Sequence, residues 1–222
     1  MDVIDQARKE GRRTLTEFES KMVLSRYGIP VVRERLVRDK DQCLSAVREI
    51  GFPLVMKGCA PEISHKSELG LVMVDIRSEP EAMASFEKIM NSMSATSPAV
   101  LVQEMVKGKR ELVVGLTRDE QFGPAVMFGL GGIFTEILSD VAFRLAPFDR
   151  KEALSMMEEI KGRKILDAVR GMEAVDLDLL AHVLVKVGEM ALDHPEIREI
   201  DINPLIVSGG VPIAVDALVV IS

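Results

Sequence analysis

The sequence of 222 residues lacks tryptophan and contains one tyrosine and two cysteines. With Tyr27 as its only tyrosine, the chain has few rings on which nucleic-acid bases could stack. Cys43 and Cys59 are too few for a disulfide framework and do not have the spacing of metal ligands. No apolar run reaches the ~18 residues of a membrane helix, and the N-terminus has no signal-peptide pattern. We therefore expect a cytoplasmic protein with reduced thiols and no membrane contact.

The formal net charge of −7 argues against nucleic acid as a partner. With 47% hydrophobic and 28% charged residues, the composition is that of a globular protein with a real core. The length fits one large domain or two lobes of about 100 residues each. The glycines at 129–132 have the spacing of neither a dinucleotide fingerprint nor a Walker A motif, so neither common nucleotide motif is present.

A short apolar run at 54–57 predicts a buried strand that ends in a lysine, Lys57. Gly58 opens a segment without regular period, so a loop is predicted over residues 58–70, and His65 lies within it. A compact positive charge beside loop amides and hydroxyls suits the phosphates of a nucleotide. The alternative is a lysine whose stem is buried while its head reaches water, together with a solvated loop histidine.

The rest of the first hundred residues predicts an alternation of helices and strands. Residues 1–14 are interpreted as a tail or a short helix lying on the surface. Capping patterns predict helices that begin after Thr16, Asp39 and Ser78, and strands are predicted at 31–32, 69–76 and 99–105. The order is that of a mixed α+β lobe.

In the second half, strands are predicted at 111–116 and 125–128, and helices after Asp149 and Asp176. A strand at 197–202 is expected to turn at Asn203–Pro204, so that residues 205–207 pair back on it. A hairpin turn at 208–210 then leads to a strand that ends at Asp216. The oxygens of Asn203 and Asp216 can then converge, and hard oxygen donors with room for water suit Mg²⁺. The alternative is an ordinary Asn-Pro turn and a strand-end aspartate.

In their order along the chain, these pieces resemble the ATP-grasp fold. More narrowly, the chain is similar to the small (β) subunit of the ADP-forming acyl-CoA synthetases, relatives of succinyl-CoA synthetase. The resemblance covers residues 15–220 and rests on the segments 55–57, 63–67, 102–106, 122–124, 129–133 with Glu136, and 201–205 with Asp216. It implies an α/β (α+β) protein with a first lobe at 15–103, a second lobe at 104–222 and the nucleotide between them.

The resemblance also implies roles for individual residues. The phosphates of ATP or ADP would lie at Lys57 and Gly58, and adenine along the strand-to-hinge segment Glu104, Met105 and Val106. Glu111 would be a polar nucleotide contact, Asn203 and Asp216 the two Mg²⁺ ligands, His65 the phosphate carrier, and Asp201 a neighbour of the phosphate being moved. Where the family has two glycines after the histidine loop, this chain has Gly70 and Leu71, which puts the closing geometry of the loop in doubt.

The reaction that the resemblance implies is acyl-CoA + ADP + phosphate ⇌ carboxylic acid + CoA + ATP, with a phosphohistidine as carrier. The modules that bind CoA and form the acyl phosphate belong in this family to another subunit or a fused segment, so a CoA-binding (α) subunit is the expected partner. Two alternatives remain open: an ATP-grasp carboxylate ligase that uses a free acyl phosphate, and a nucleotide-sensing or structural subunit without activity. The acyl group and the choice between ADP and GDP are not determined by these residues.

Overall fold

The computed structural model describes residues 3–63, 69–132, 140–168 and 171–222. These residues form two compact units. The small unit is Val32–Val106, and the large unit combines Met1–Val31 with Lys107–Ser222. None of the helices in the described part of the chain has the length and hydropathy of a membrane span.

The elements follow the chain in an alternating order. The helices are α1 Val3–Lys9, α2 Glu17–Arg26, α3 Lys40–Ile50, α4 Glu79–Ser92, α5 Arg150–Glu159 and α6 Leu177–Asp193, with a 3₁₀ helix at Arg163–Leu166. The strands are β1 Glu34–Val37, β2 Leu54–Cys59, β3 Val72–Ile76, β4 Ala99–Glu104, β5 Arg110–Asp119, β6 Gly123–Leu130, β7 Val141–Leu145, β8 Ile197–Ser208, β9 Val211–Ala214 and β10 Leu218–Ile221.

The helix starts confirm the capping signals of the sequence. Each predicted capping side chain accepts a hydrogen bond from the backbone amide three residues later, as in Asp39 with Gln42 and Ser78 with Glu81. At Thr16 the capping box is complete, because the Glu19 carboxylate also accepts from the Thr16 amide. Such bonds join near neighbours, so the sequence is sufficient to predict them.

The small unit is an antiparallel sheet in the order β1-β4-β2-β3, with α3 and α4 packed together against it. Leu54 and Met56 of β2 lie in one core cluster with Phe86 and Ile89 of α4. Because successive residues of a strand point to opposite faces, Lys57 points away from the helices.

The large unit is a six-stranded antiparallel sheet in the order β10-β8-β5-β6-β7, with β9 paired to β8. Its core includes Leu112 and Val114 of β5, Ile200 and Ile202 of β8, and the inner face of α6, where Leu184 is fully buried. The intervening residues of β8, including Asp201, therefore lie on the face of the sheet that points away from this core.

The N-terminal residues belong to the large unit, whereas the sequence placed residues 15–31 in the first lobe. A short helix is present near the start, as expected, but Ile4 and Ala7 on α1 are buried in the large unit's core. Leu24 of α2 lies in the same core. The periodicity of a helix shows which face is apolar, but not which distant sheet that face covers.

The predicted turn at Asn203–Pro204 was wrong. β8 continues through these residues as one strand, and residues 205–207 pair with β9 and β5 instead of folding back. The pairing of β5 with β8 shifts register between Leu112 and Val114, at the level of Pro204. A proline is tolerated within a sheet at such an irregularity, because no ladder hydrogen bond from its nitrogen is required there.

Candidate functional site

Lys57 lies on the face of the small unit's sheet that points away from α3 and α4, and only 7% of the residue is exposed. Two polar residues share this face. Gln103 on β4 stands opposite Val55, the residue two before Lys57, and Glu34 on β1 stands opposite Gln103. The structure therefore sets an ammonium, an amide and a carboxylate on neighbouring strands of one face.

Lys57, Gln103 and Glu34 each have an interaction within the structure, so none of the three residues is without a partner. A largely desolvated ammonium binds a phosphate oxygen more strongly than a surface lysine does, because water screens it less. The low exposure of Lys57 disagrees with the alternative in which the ammonium of this lysine reaches water. The nucleotide role of Lys57 stays a prediction.

The strand-to-hinge segment after Gln103 has one backbone donor that is not used internally. The amide of Glu104 donates to the Arg33 carbonyl at 3.0 Å, and that of Met105 to the Pro53 carbonyl at 3.1 Å. The Glu104 carboxylate accepts from Arg33 Nε at 2.8 Å, so this side chain is held by an ion pair. Within the described residues the Val106 amide donates to no carbonyl. The N–H of Val106 is thus left for a ligand, and the adenine contact of Glu104, Met105 and Val106 stays a prediction.

The two ends of the predicted histidine loop are tied together. Gly58 donates its amide hydrogen to the Leu71 carbonyl at 2.8 Å, and a Cβ at Gly58 would lie 3.0 Å from Met93 Sδ. Gly70 has φ +66°, a conformation that favours glycine, while Leu71 is buried in the small unit's core. The leucine that departs from the family pattern thus anchors the loop. His65 itself lies outside the described residues.

On the large unit, Asp201 has acidic neighbours on the sheet face away from the core. Asp201 on β8 stands opposite Gly115 on β5 and Leu218 on β10. The pKa of Asp201 is raised above its ordinary value, because the surrounding protein partly desolvates the carboxylate and because the charges of Asp216 and Glu199 lie near. Crowded carboxylates repel one another, and a bound cation removes that repulsion.

Asn203 and Asp216 belong to segments that the structure places side by side. The Val215 amide donates to the Pro204 carbonyl at 3.3 Å, which joins the residue before Asp216 to the residue after Asn203. Within the described ranges no three His, Cys, Asp or Glu side chains form a metal-binding group. One amide and one carboxylate, with Asp201 nearby, fit Mg²⁺, which keeps several of its waters. The roles of Asn203, Asp216 and Asp201 stay predictions.

Glu111 lies against the glycine cluster that matches no common motif. Gly131 donates its amide hydrogen to the Glu111 carbonyl at 2.7 Å, and a Cβ at Gly131 would lie 2.8 Å from the carbonyl carbon of Glu111. A Cβ at Gly132 would lie 2.9 Å from Glu111 Oε2. The glycines therefore allow the chain to approach Glu111 closely. Glu136 lies outside the described residues, and the contact of Glu111 with a nucleotide stays a prediction.

The sequence did not predict two buried polar residues of the large unit, Arg110 and Asp140, which bind backbone groups of distant segments. Arg110 is 4% exposed and donates to the carbonyls of Ile165, Asp167 and Glu173. Asp140 accepts from the amides of Lys161 and Gly162, each at 2.7 Å. No local pattern separates these residues from ordinary surface charges, because their partners are 21 to 63 residues away.

Comparison with known proteins identifies relatives along the whole chain. The family model for the ATP-grasp domain matches residues 6–221. The β subunit of acetate–CoA ligase [ADP-forming] I from Pyrococcus furiosus is 45% identical, over 99% of this chain and 97% of its own length.

Solved structures of an acetyl-coenzyme A synthetase from Candidatus Korarchaeum cryptofilum have the same fold. One, in complex with coenzyme A and Ca-AMPCP, matches with a TM-score of 0.94 at 40% identity and covers 100% of this chain and 99% of that chain. Another contains coenzyme A and Mg-AMPPCP, has its phosphohistidine segment pointing towards the nucleotide-binding site, and matches with a TM-score of 0.88 at 40% identity over the same shares of both chains.

Proposed function

Since the chain belongs to the ATP-grasp family and, within it, to the β subunits of the ADP-forming acetate–CoA ligases, we propose that it is the nucleotide-binding subunit of an ADP-forming acyl-CoA synthetase. The reaction is acyl-CoA + ADP + phosphate ⇌ carboxylic acid + CoA + ATP, and acetyl-CoA is the first substrate to assay. The observation that carries the proposal is that the segments of Asn203 and Asp216 are joined by the bond between Val215 and Pro204, and that the charge of Asp216 lies near the Asp201 carboxylate, so oxygen donors with an excess of negative charge lie close together.

Each unit contributes its own groups to nucleotide binding. In the small unit Lys57 binds phosphate oxygens and the Val106 amide donates to adenine. In the large unit Asn203 and Asp216 hold the metal, and Glu111 makes a polar contact to the nucleotide. Mg²⁺ bound there neutralises the phosphate oxygens of ADP or ATP.

The phosphoryl group is carried by His65. In the direction of ATP consumption, a neutral imidazole nitrogen forms a bond to the γ-phosphorus while the bond to the bridging oxygen of ADP breaks, so ADP leaves. In the direction of ATP synthesis, the N–P bond breaks and ADP is the acceptor. Asp201 lies beside the phosphate being moved. The phosphohistidine segment of the Korarchaeum relative supports this role for the loop.

A CoA-binding α subunit supplies the remaining steps. There phosphate displaces CoA from acyl-CoA to give an acyl phosphate, and the phosphoryl group of the acyl phosphate then passes to His65 as the carboxylic acid is released. We place the complex in the cytoplasm, where CoA esters and adenine nucleotides meet. The assignment of the partner follows the subunit naming of the Pyrococcus relative.

The test is reconstitution with the α subunit that co-purifies with this chain from the native source. The complex should form ATP from acetyl-CoA, ADP and phosphate, and each subunit alone should form none. Formation of ATP by this chain alone would exclude the divided mechanism. Binding of nucleotide without any turnover in the complex would favour a nucleotide-sensing subunit, and amide formation with added amines would favour a carboxylate ligase.

A further inference from the structure

Helix α2 carries a buried ion pair. Glu17 and Lys21 are one turn apart, their Oε1 and Nζ atoms are 2.7 Å apart, and each side chain is 1% exposed. Two charges removed from water lose favourable solvation free energy, a penalty that an apolar pair of similar size does not have. A buried ion pair is therefore weak as a source of stability, and its presence calls for another reason.

The ammonium of this pair reaches the segment that carries a proposed metal ligand. Lys21 Nζ donates to the Val215 carbonyl at 3.4 Å, across 194 positions of sequence. That carbonyl belongs to the peptide bond that links Val215 to Asp216. The contact therefore acts on the orientation of the peptide group from which Asp216 extends.

Further bonds hold the same segment, so that Val215 is held both at its amide and at its carbonyl, in the two successive peptide groups before Asp216. The Val215 amide donates to Pro204, beside Asn203, and the Val215 carbonyl accepts from Lys21. One residue before Lys21 on α2, Ser20 Oγ accepts from the Val219 amide at 3.1 Å. Helix α2 therefore holds the chain before and after Asp216.

We propose that Glu17 and Lys21 are positioning residues for the metal site: Glu17 holds the Lys21 ammonium, and Lys21 holds the Val215 peptide so that Asp216 meets the divalent cation together with Asn203. This inference rests on the proposed function, because it concerns the same site. Neither residue touches the cation. Their effect is to fix one ligand, as an outer partner orients a metal ligand, an effect typically worth about 10–100-fold in metal affinity.

The decisive variant removes both charges together. Removal of Lys21 alone would break the ion pair of the buried Glu17 carboxylate and would strongly destabilise the fold. In Glu17→Leu/Lys21→Met both charges are replaced by apolar groups of similar size, so the fold is retained while the bond to Val215 is lost. The matched control is Lys186→Met/Glu189→Leu, which removes a partly exposed ion pair from α6 of the same unit.

The measurements are made on the full chain. Mg²⁺ is titrated at saturating ADP while the melting temperature is followed, and Mn²⁺ binding is followed by electron paramagnetic resonance. The double variant should need about tenfold more metal for half-saturation than the wild type. Its melting temperature without metal and its affinity for metal-free ADP should stay unchanged, and the control should match the wild type throughout.

If the double variant does not fold, a second variant tests whether Glu17 and Lys21 position Asp216. Glu17→Asp keeps both charges but shortens the anchor by one methylene group, which draws Nζ away from the Val215 carbonyl, so its metal affinity should also fall. Metal affinity equal to the wild type in whichever variant folds would overturn the inference. A wild-type chain that binds no metal–nucleotide complex would instead overturn the proposed function, so the two failures are distinguishable.

Discussion

The Val215 amide donates to the Pro204 carbonyl at 3.3 Å. This bond brings the neighbours of Asn203 and Asp216 together, because it continues the hairpin of β8 and β9 by one step beyond the pair Leu205 and Ala214. Metal ligands presented by adjacent backbones need little reorganisation on binding, because their separation is set by the sheet and not by flexible side chains.

Replacement of Lys57 should remove most of the stabilisation by nucleotide. At a ligand concentration one hundred times the dissociation constant, binding stabilises the wild type by ~2.7 kcal/mol. For a chain of this size that is roughly 5–10 °C in melting temperature. Lys57→Met keeps the apolar stem and loses the charge, so thermal denaturation with and without Mg-ADP should show little shift. Lys88→Met, on the exposed face of α4, is the control and should shift like the wild type.

Replacement of Asp216 should remove the metal dependence of nucleotide binding. In Asp216→Asn the shape of the side chain is kept while the ligand charge is lost, so ADP should bind equally with and without Mg²⁺. Calorimetric titration with ADP in Mg²⁺ and in EDTA measures this difference. An Mg²⁺ dependence like that of the wild type would assign the metal to other residues.

Replacement of Asp201 should affect turnover more than binding. Asp201→Asn should lower the rate of ATP formation by roughly 100-fold, the range of a group that assists proton or phosphoryl movement, with Mg-ADP affinity nearly unchanged. Glu199→Gln is the matched control, because Glu199 is two residues away on the same strand and contributes to the raised pKa of Asp201. Its rate of ATP formation should stay close to that of the wild type. A loss of Mg-ADP affinity in Asp201→Asn would make Asp201 a metal ligand.

Replacement of His65 should separate phosphoryl transfer from nucleotide binding. With γ-labelled ATP, the reconstituted complex should carry acid-labile, base-stable label on this chain, and His65→Ala should lose both label and turnover. The chain has three histidines. His194→Gln is the control, since His194 caps the end of α6 and lies 3.3 Å from Glu196. Turnover of His65→Ala at the wild-type rate would make His65 a solvated loop residue.

Stability should fall in alkaline solution because of Cys43. Burial raises the pKa of this thiol from about 9 to about 11. Between these values the unfolded chain releases the proton and the folded chain keeps it, so stability present below pH 9 is lost as the pH rises towards 11. The loss is ~2–3 kcal/mol. Urea denaturation of the wild type at pH 8 and pH 10.5 should show most of this loss in the free energy of unfolding.

Two variants of α3 isolate this effect. Cys43→Ala should show less loss between the two pH values than the wild type. Val47→Ala, which also removes buried atoms from the core face of α3, should keep the full pH dependence. Equal pH dependence in both variants would mean that other groups cause the alkaline loss.

The sequence alone determined the features that depend on near neighbours in the chain. The capping residues of five helices were predicted and are confirmed, because a side chain at the N-cap bonds an amide three residues later. The resemblance to ATP-grasp synthetase subunits is also confirmed, because it rests on several short segments in one order. The site roles carried by that resemblance are still predictions.

Only the tertiary structure decided which distant segments meet. A strand that continues through Asn203–Pro204 replaces the predicted turn, since the register of β5 and β9 outweighs the local preference of the dipeptide for a turn. Likewise Lys21 reads in the sequence as an ordinary surface lysine of an amphipathic helix. Its burial, and its bond to Val215, follow from the packing of α2 on the large unit, where the free energy of burying apolar surface is gained between residues far apart in sequence.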